Sequence, residues 1–131
     1  MGAVMSGRGY LPSIIVSSPA ARASATAQLV KESAGFTADI LFDDRIYEAS
    51  PNTLRSVLSG LDDSLDSAMV VGHNPGMEGF VRYLTGEIES MPTAALAVIE
   101  LSIGSWADID ADTGKLAEII RPKEEAKNTT A

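Results

Sequence analysis

Two short motifs each place a side chain that can carry positive charge beside a predicted helix start. They read SSPAAR at residues 17–22 and VVGHNPG at residues 70–76. Ser18 and Asn74 are residue types that cap helix N-termini, and the proline after each suits the first helical position. Arg22 and His73 then lie close to free backbone N–H groups and to the positive end of a helix dipole. This combination predicts a phosphate-binding site formed by Ser18, Arg22, His73 and Asn74.

The segments before the motifs predict that the two helix starts meet. Ile14–Val16 and Ala68–Gly72 are apolar runs that read as parallel strands, the second of them fully buried. The carboxyl ends of such strands share one edge of the sheet, where ligands of open α/β sheets bind. Simpler interpretations stay open. Such helix starts also occur in domains that bind nothing there, and a lone histidine is commonly a structural residue. Arg22 can also pair with Glu32 or Asp43.

Strands alternate with helices along the chain, which predicts an α/β fold with a mostly parallel sheet flanked by helices and one antiparallel strand. Helices are predicted from Pro19 to Ala34 with a stop at Gly35, from Ser50 onward, and from Asn74 to Leu84. Their spacing predicts buried faces made by Ala23, Ala27 and Val30 in the first helix and by Leu54, Val57, Leu58 and Leu61 in the second. Further strands are predicted at Asp39–Phe42, within Ala94–Leu101 and at Lys115–Ile120.

Length and composition predict one domain over residues 1–121 and a disordered polar tail over 122–131. The formal net charge of −8 argues against a nucleic-acid or anionic-membrane partner. The absence of cysteine excludes disulfides and thiolate nucleophiles, and a single histidine cannot build a multi-histidine metal site. We therefore expect no metal and no cofactor, and a cytoplasmic location.

The two motifs also resemble those of a known family. Residues 17–27 and 70–76, together with 46–49 and 92–98, are similar to segments of small bacterial phosphohistidine phosphatases in the histidine phosphatase superfamily, whose fold is phosphoglycerate-mutase-like. The likeness extends from about residue 1 to residue 122. The motif around His73 is the most specific, and the motif around Arg22 is the next.

The resemblance implies a mechanism and a role for each residue. A nucleophilic histidine takes the phosphoryl group, arginines and a second histidine hold its oxygens, and water then releases phosphate. Arg22 matches a phosphate-pocket arginine and His73 the second histidine. Glu48 lies where larger relatives place a general acid, although a solvated residue after a strand is an equal alternative. The implied substrate is a phosphorylated protein carrying phosphohistidine, or a small phosphoester.

The sequence departs from the family pattern at its beginning. Family members open with a strand that ends in an Arg-His pair, whereas this sequence opens with MGAVMSGRGYLP, and no histidine follows Arg8. We therefore expect a truncated sequence that is inactive as written and active in the complete protein. The alternatives are a non-catalytic phosphate-binding or protein-interaction module, and a partner chain that supplies the strand. We also expect an unpaired sheet edge, at Ile14–Val16 or Val70–Gly72, to promote self-association.

Overall fold

The computed structural model describes residues 2–92 and 94–122, which form two β-sheets with helices around them. The helices are α1 (Gly2–Gly7), α2 (Ala21–Ala34), α3 (Pro51–Ser59) and α4 (Gly76–Thr85), with 3-10 turns at Asp44–Ile46 and Trp106–Asp108. The strands are β1 (Ile14–Ser17), β2 (Asp39–Phe42), β3 (Ala68–Val71), β4 (Leu96–Leu101) and β5 (Gly114–Ile120). The α/β class is therefore confirmed. Residues 123–131 of the predicted disordered tail lie outside the described residues.

The first sheet is parallel and has the order β2-β1-β3. Ile15 of β1 is in register with Ile40 of β2 and with Met69 of β3. Because β1 is paired on both sides, the first of the two expected locations of an unpaired edge, Ile14–Val16, does not apply. The unpaired edge of this sheet beside the candidate site belongs to β3.

Helices cover both faces of this sheet. Ile15 and Val16 have no exposed surface and pack into two different apolar clusters, as expected for neighbouring residues of a strand. The cluster around Ile15 contains the predicted buried face of α2, namely Ala23, Ala27 and Val30. The cluster around Val16 contains Leu54, Val57 and Leu58 of α3 and Phe80 and Leu84 of α4. The predicted helix faces are confirmed, except that Leu61 lies beyond the end of α3.

The second sheet consists of β4 and β5, which pair antiparallel with an irregularity between Val98 and Ile99. In the described part of the chain, β4 pairs only with β5, and β3 pairs only with β1. A cavity of about 1380 Å³ separates the two sheets and is lined by every residue of β3 and β4. The prediction that Ala68–Gly72 is fully buried was therefore wrong, because most of β3 borders this cavity.

The two predicted caps, Ser18 and Asn74, do not occupy the capping positions, whereas α3 begins at its predicted start. There the Ser50 hydroxyl accepts a hydrogen bond from Thr53 N at 3.3 Å, and Pro51 is the first helical residue. In α2 the capping position falls on Ala20, so Ser18 lies before the helix. In α4 it falls on Pro75, after a cis Asn74–Pro75 peptide bond. None of the helices in the described residues is long and apolar enough to cross a membrane.

Candidate functional site

The two sequence motifs meet through a hydrogen bond between His73 and Ser18. His73 Nε2 lies 2.9 Å from Ser18 Oγ, and Ser18 N donates to Val71 O at 3.0 Å. The Ser18 hydroxyl is fully buried and also accepts from Ala20 N at 3.2 Å. It can donate to a neutral imidazole or accept from a protonated one. The carboxyl ends of β1 and β3 are thus joined side chain to side chain, as the topology of a parallel sheet predicts.

The Ser18 hydroxyl makes one local and one distant hydrogen bond. It accepts from Ala20 N, two residues on, and is also bonded to His73. The helix begins at Ala21, so the capping position falls on Ala20 and the prediction of Ser18 as the cap was wrong.

The backbone around His73 is held by close packing at the end of β3. His73 O accepts from Met77 N at 2.9 Å, which ties the residue to the first turn of α4. A Cβ atom at Gly72 would lie 2.8 Å from Met77 Cε and 3.0 Å from Ile46 Cγ2. Only glycine fits this position without a shift of its neighbours. His73 is thereby set at the turn between strand and helix.

Tyr47 is a neighbour of His73 that the sequence analysis did not single out. Its ring meets the imidazole edge-on, with 5.4 Å between centroids and an angle of 81° between planes. Tyr47 follows a 3-10 turn that is capped by the Asp43 carboxylate, which accepts from Arg45 N at 2.9 Å. Asp43 N in turn donates to Ser17 O at 3.0 Å. The signal in the sequence was the position of Tyr47 immediately before the candidate residue Glu48.

Arg22 is the second residue of α2 and has an exposed side chain. In the described part of the chain it forms no ion pair, and Asp43 is instead paired with Arg45 at 2.7 Å. Hydrogen bonds from the Arg45 side chain are the main reason that the pKa of Asp43 lies below its usual value. The alternative pairings of Arg22 with Glu32 or Asp43 are therefore not formed. Arg22 lines the cavity between the sheets together with His73 and Asn74.

Asn74 connects the His73 turn to the segment that leads into β4. Its Oδ1 accepts from Glu78 N at 3.3 Å, and its Nδ2 donates to Met91 O at 2.5 Å. Glu78 Oε1 also accepts from Met91 N at 2.9 Å. The Asn74 amide is thus engaged with protein groups on both of its polar atoms. In this geometry it positions the turn, and phosphate binding by Asn74 stays a prediction.

Glu48 is exposed and is not among the residues that line the cavity. Its φ of 53° is in the left-handed region, which is unusual for a residue with a side chain. Tyr47, the residue before it, contacts the His73 ring, so Glu48 is one residue from the site along the chain. Its role as a general acid stays a prediction.

The described residues contain no cluster that could bind a metal ion. No three His, Asp or Glu side chains come together for this anywhere in residues 2–92 and 94–122. Arg22 and His73 line the same cavity, which Asp63, Asp66 and Glu100 also line. That Arg22 and His73 hold a phosphoryl group together stays a prediction.

Comparison with solved structures finds the same fold. The chain is 30% identical to a protein of Agrobacterium tumefaciens provisionally assigned as phosphohistidine phosphatase SixA, with a TM-score of 0.75 over 92% of this chain and 75% of that one. A similarly assigned protein of Nakamurella multipartitia gives 20% identity and a TM-score of 0.74 over 92% and 79% of the two chains. The protein histidine phosphatase SixA in complex with tungstate gives 18% identity and a TM-score of 0.81 over 95% and 78%.

Comparison with curated sequences finds more distant relatives. An uncharacterised protein of Mycobacterium leprae is 23% identical over 99 residues, and one of Mycobacterium tuberculosis is 26% identical over 87 residues. The chain spans 61% and 54% of the lengths of these two proteins. No family model matches the sequence.

Proposed function

Because this chain belongs to the histidine phosphatase superfamily, among the SixA phosphohistidine phosphatases, we propose that it forms the phosphate-holding part of a phosphatase. The substrate is phosphohistidine on a protein, or a small phosphoester. The reaction proceeds through a covalent phosphohistidine intermediate. His73 is the one histidine of the sequence and supports the phosphoryl group in this proposal, so the nucleophile is a second imidazole.

The hydrogen bond between His73 and Ser18 is the observation that carries this proposal. It joins the carboxyl ends of two neighbouring parallel strands, 2.9 Å apart at the side chains, beside the cavity that Arg22 also lines. That edge is where open α/β sheets bind ligands. The tungstate found with one relative of the same fold supports an oxyanion site, since tungstate is a tetrahedral oxyanion like phosphate.

The proposed reaction gives each candidate site residue of this chain a role. An imidazole nitrogen of the separate nucleophile attacks phosphorus, the bond from phosphorus to the substrate nitrogen or oxygen breaks, and the leaving group takes a proton. Water then attacks the phosphohistidine, releasing inorganic phosphate and the free imidazole. Arg22 and His73 hold the oxygens of the phosphoryl group in both steps, and Glu48 is the candidate proton donor. Ser18 and Asn74 hold His73 and its turn in position.

A non-catalytic phosphate-binding module is the second candidate. It is favoured by a specific observation: the sequence contains one histidine, and the Nε2 atom of that histidine is occupied by Ser18. The bond to Ser18 engages one of the two ring nitrogens, and the sequence has no second histidine to take the supporting role if His73 is the nucleophile. Both candidate functions imply binding of the same ligand, but only the first implies catalytic turnover.

Release of phosphate from a phosphohistidine protein and from p-nitrophenyl phosphate distinguishes them. We expect no turnover by the 131-residue chain above a His73→Ala control. Activity should appear in a longer form that carries an upstream strand ending in Arg-His. In that form Arg22→Ala and His73→Ala should remove most activity, while Arg82→Ala, on α4 outside the cavity lining, should not. Turnover by the short chain that is lost in His73→Ala would make His73 the nucleophile and contradict the assignment.

A further inference from the structure

Tyr47 is an exposed aromatic residue beside the candidate site, and the proposed reaction gives it no role. Its ring contacts the imidazole of His73, with 5.4 Å between centroids and an angle of 81° between planes. His73 lines the cavity between the sheets, whereas Tyr47 does not and leaves 56% of its surface exposed. Tyr47 therefore forms an outer rim next to the His73 ring, where a ligand held at that ring can reach it.

The turn that carries Tyr47 is fixed to both strand ends of the site. At the end of β1, Asp43 N donates to Ser17 O at 3.0 Å. Ile46, the residue before Tyr47, has only 1% of its surface exposed and packs in the apolar cluster against α3 and α4. A Cβ atom at Gly72 would lie 3.0 Å from Ile46 Cγ2, so the turn also touches the end of β3. The main chain of Tyr47 thus has a firm support on its N-terminal side.

The residues after Tyr47 are held against α4. Ala49 N donates to Ile46 O at 3.4 Å, and Ala49 O would lie 2.8 Å from a Cβ atom placed on Gly76, the first residue of α4. Tyr47 N itself donates to Asp44 O at 3.2 Å. In residues 2–92 and 94–122, by contrast, no group forms a hydrogen bond with the Tyr47 hydroxyl. The position of the side chain is therefore set by its backbone, and much of its ring remains available to a ligand.

The chemistry of phosphoryl transfer brings the leaving group of the substrate close to this ring, and this step rests on the proposed function. Arg22 and His73 hold the phosphoryl oxygens in that proposal. The leaving group is bonded to phosphorus, in line with the attacking nitrogen. In phosphohistidine it is an imidazole ring whose nitrogen is bonded directly to phosphorus. Such a ring stays close to the side chains that hold the phosphoryl oxygens, and Tyr47 contacts one of those side chains.

We infer that Tyr47 is a specificity-determining residue, whose ring binds the leaving group and selects substrates in which a planar ring is bonded directly to phosphorus. Aromatic rings pair favourably when stacked with an offset or edge-to-face at about 4.5–7 Å, and an alkyl group lacks this interaction. The Tyr47 ring already pairs edge-on with one imidazole, that of His73. The favoured substrate class is therefore a ring phosphoramidate such as phosphohistidine, in preference to an alkyl phosphoester.

The test compares three phosphonates that cannot be hydrolysed. Phenylphosphonate has a planar ring bonded directly to phosphorus, cyclohexylphosphonate has a ring of similar size that is not planar, and methylphosphonate has none. Each is titrated into the isotope-labelled 131-residue chain, at a pH where all three are dianions, and followed by the NMR signals of residues 17–22 and 72–76. We expect phenylphosphonate to bind about two- to tenfold more tightly than the other two.

Substitutions of aromatic residues assign this preference to one ring. Tyr47→Ala should reduce the ratio of phenylphosphonate to methylphosphonate affinity to about one, whereas Tyr47→Phe should keep it, because the ring and not the hydroxyl makes the contact. Phe42→Ala is the matched control and should also keep the ratio, since Phe42 is a similarly exposed aromatic residue, on β2, that does not contact the His73 ring.

The outcomes separate this inference from the proposed function. If no phosphonate shifts the signals of residues 17–22 and 72–76, the phosphate site is refuted, and the inference with it. Equal affinity for phenylphosphonate and methylphosphonate would overturn the inference alone and leave the phosphate site standing. A preference that survives in Tyr47→Ala would also overturn it. Equally tight binding of cyclohexylphosphonate would do the same, because it would show general apolar contact in place of ring recognition.

Discussion

His73 is held by contacts from three separate parts of the chain. Ser18 at the end of β1 bonds its ring, Tyr47 meets the ring edge-on, and Met77 N bonds its backbone oxygen. A side chain fixed from several directions loses little conformational entropy when a ligand binds, because that entropy is already lost on folding. This geometry suits a residue that holds a ligand better than one that moves to react.

We expect Ser18→Ala to lower the free energy of unfolding by about 1–3 kcal/mol, because it leaves the His73 ring nitrogen and Ala20 N, both half-buried, without their partner. Ser56→Ala is the matched control. The Ser56 hydroxyl is exposed and bonds only to Asn52 O in its own helix, so a change within about 0.5 kcal/mol is expected. Urea denaturation of both variants measures the difference. Equal stability of the two would show that the His73–Ser18 bond contributes little.

Anion binding tests most directly whether Arg22 and His73 form a phosphate site. We expect tungstate or phosphate to shift the NMR signals of residues 17–22 and 72–76 in a saturable way. Arg22→Ala and His73→Ala should each weaken the affinity several-fold, because each removes a charged or charge-assisted hydrogen bond. Arg82→Ala keeps the same change in net charge and should bind as the unaltered chain does. Shifts confined to residues far from both motifs would contradict the site.

The turn that carries Tyr47 has its own electrostatic support. The pKa of Asp43 is lowered chiefly by hydrogen bonds from Arg45. Since the folded value lies below the unfolded value of about 3.9, this carboxylate stabilises the fold above that pH, and its contribution is lost as the pH falls through the lowered value. In Arg45→Ala we expect the pKa of Asp43 to rise toward its usual value. A carboxyl-detected NMR titration measures it, with Asp39 in the same spectrum as a reference.

At the scale of elements, local patterns in the sequence were sufficient for helix faces and stops. The buried residues Ala23, Ala27 and Val30 follow from helical spacing alone. Gly35 ends α2 with a φ of 69°, a conformation that glycine adopts without strain. The start of α2 could not be predicted in the same way, because Ser18-Pro19 is typical of a helix start and the helix begins at Ala21. The bond from Ser18 to His73, 55 residues away, is not visible in the local pattern.

The order of the strands was likewise not available from the sequence. An apolar run such as Ile14–Val16 is compatible with a central or an edge strand, since helices cover the sheet on both faces either way. Which strand has two neighbours is decided by the crossovers, and the structure gives β1 two neighbours and β3 one. The site itself could be predicted more readily from the sequence. For Ser18 and His73 to meet, the two strands that precede them needed only to be parallel and adjacent.

Gly72 connects the strand to the site, and its replacement tests how tightly β3 and α4 fit. In Gly72→Ala the new methyl group would lie 2.8 Å from Met77 Cε, which can move, and 3.0 Å from Ile46 Cγ2, which is buried. We expect a loss of about 1–3 kcal/mol in the free energy of unfolding, typical of an overpacked core. Gly7→Ala is the control, since its methyl group would meet nothing within 4 Å. Thermal or urea unfolding compares them, and an unchanged Gly72→Ala would show that the turn adjusts.

At the scale of the whole molecule, the described residues form no hydrogen-bond ladder between the two sheets. Ile99 and Leu101 of β4 pack against the cluster that contains Phe80 and Leu84 of α4. Side-chain packing therefore holds the two sheets together, whereas backbone hydrogen bonds hold the strands within each sheet. The formal net charge of −8 adds repulsion to the compact state.

We therefore expect the 131-residue chain alone to be marginally stable and to self-associate weakly through the unpaired edges of β3 and β4. Sedimentation velocity should show species larger than the monomer, in a proportion that rises with protein concentration. Calorimetry should show a melting midpoint that depends on protein concentration. A sharp, concentration-independent melt of a monomer would contradict this expectation, because it would mean that packing alone is enough to hold the two sheets together.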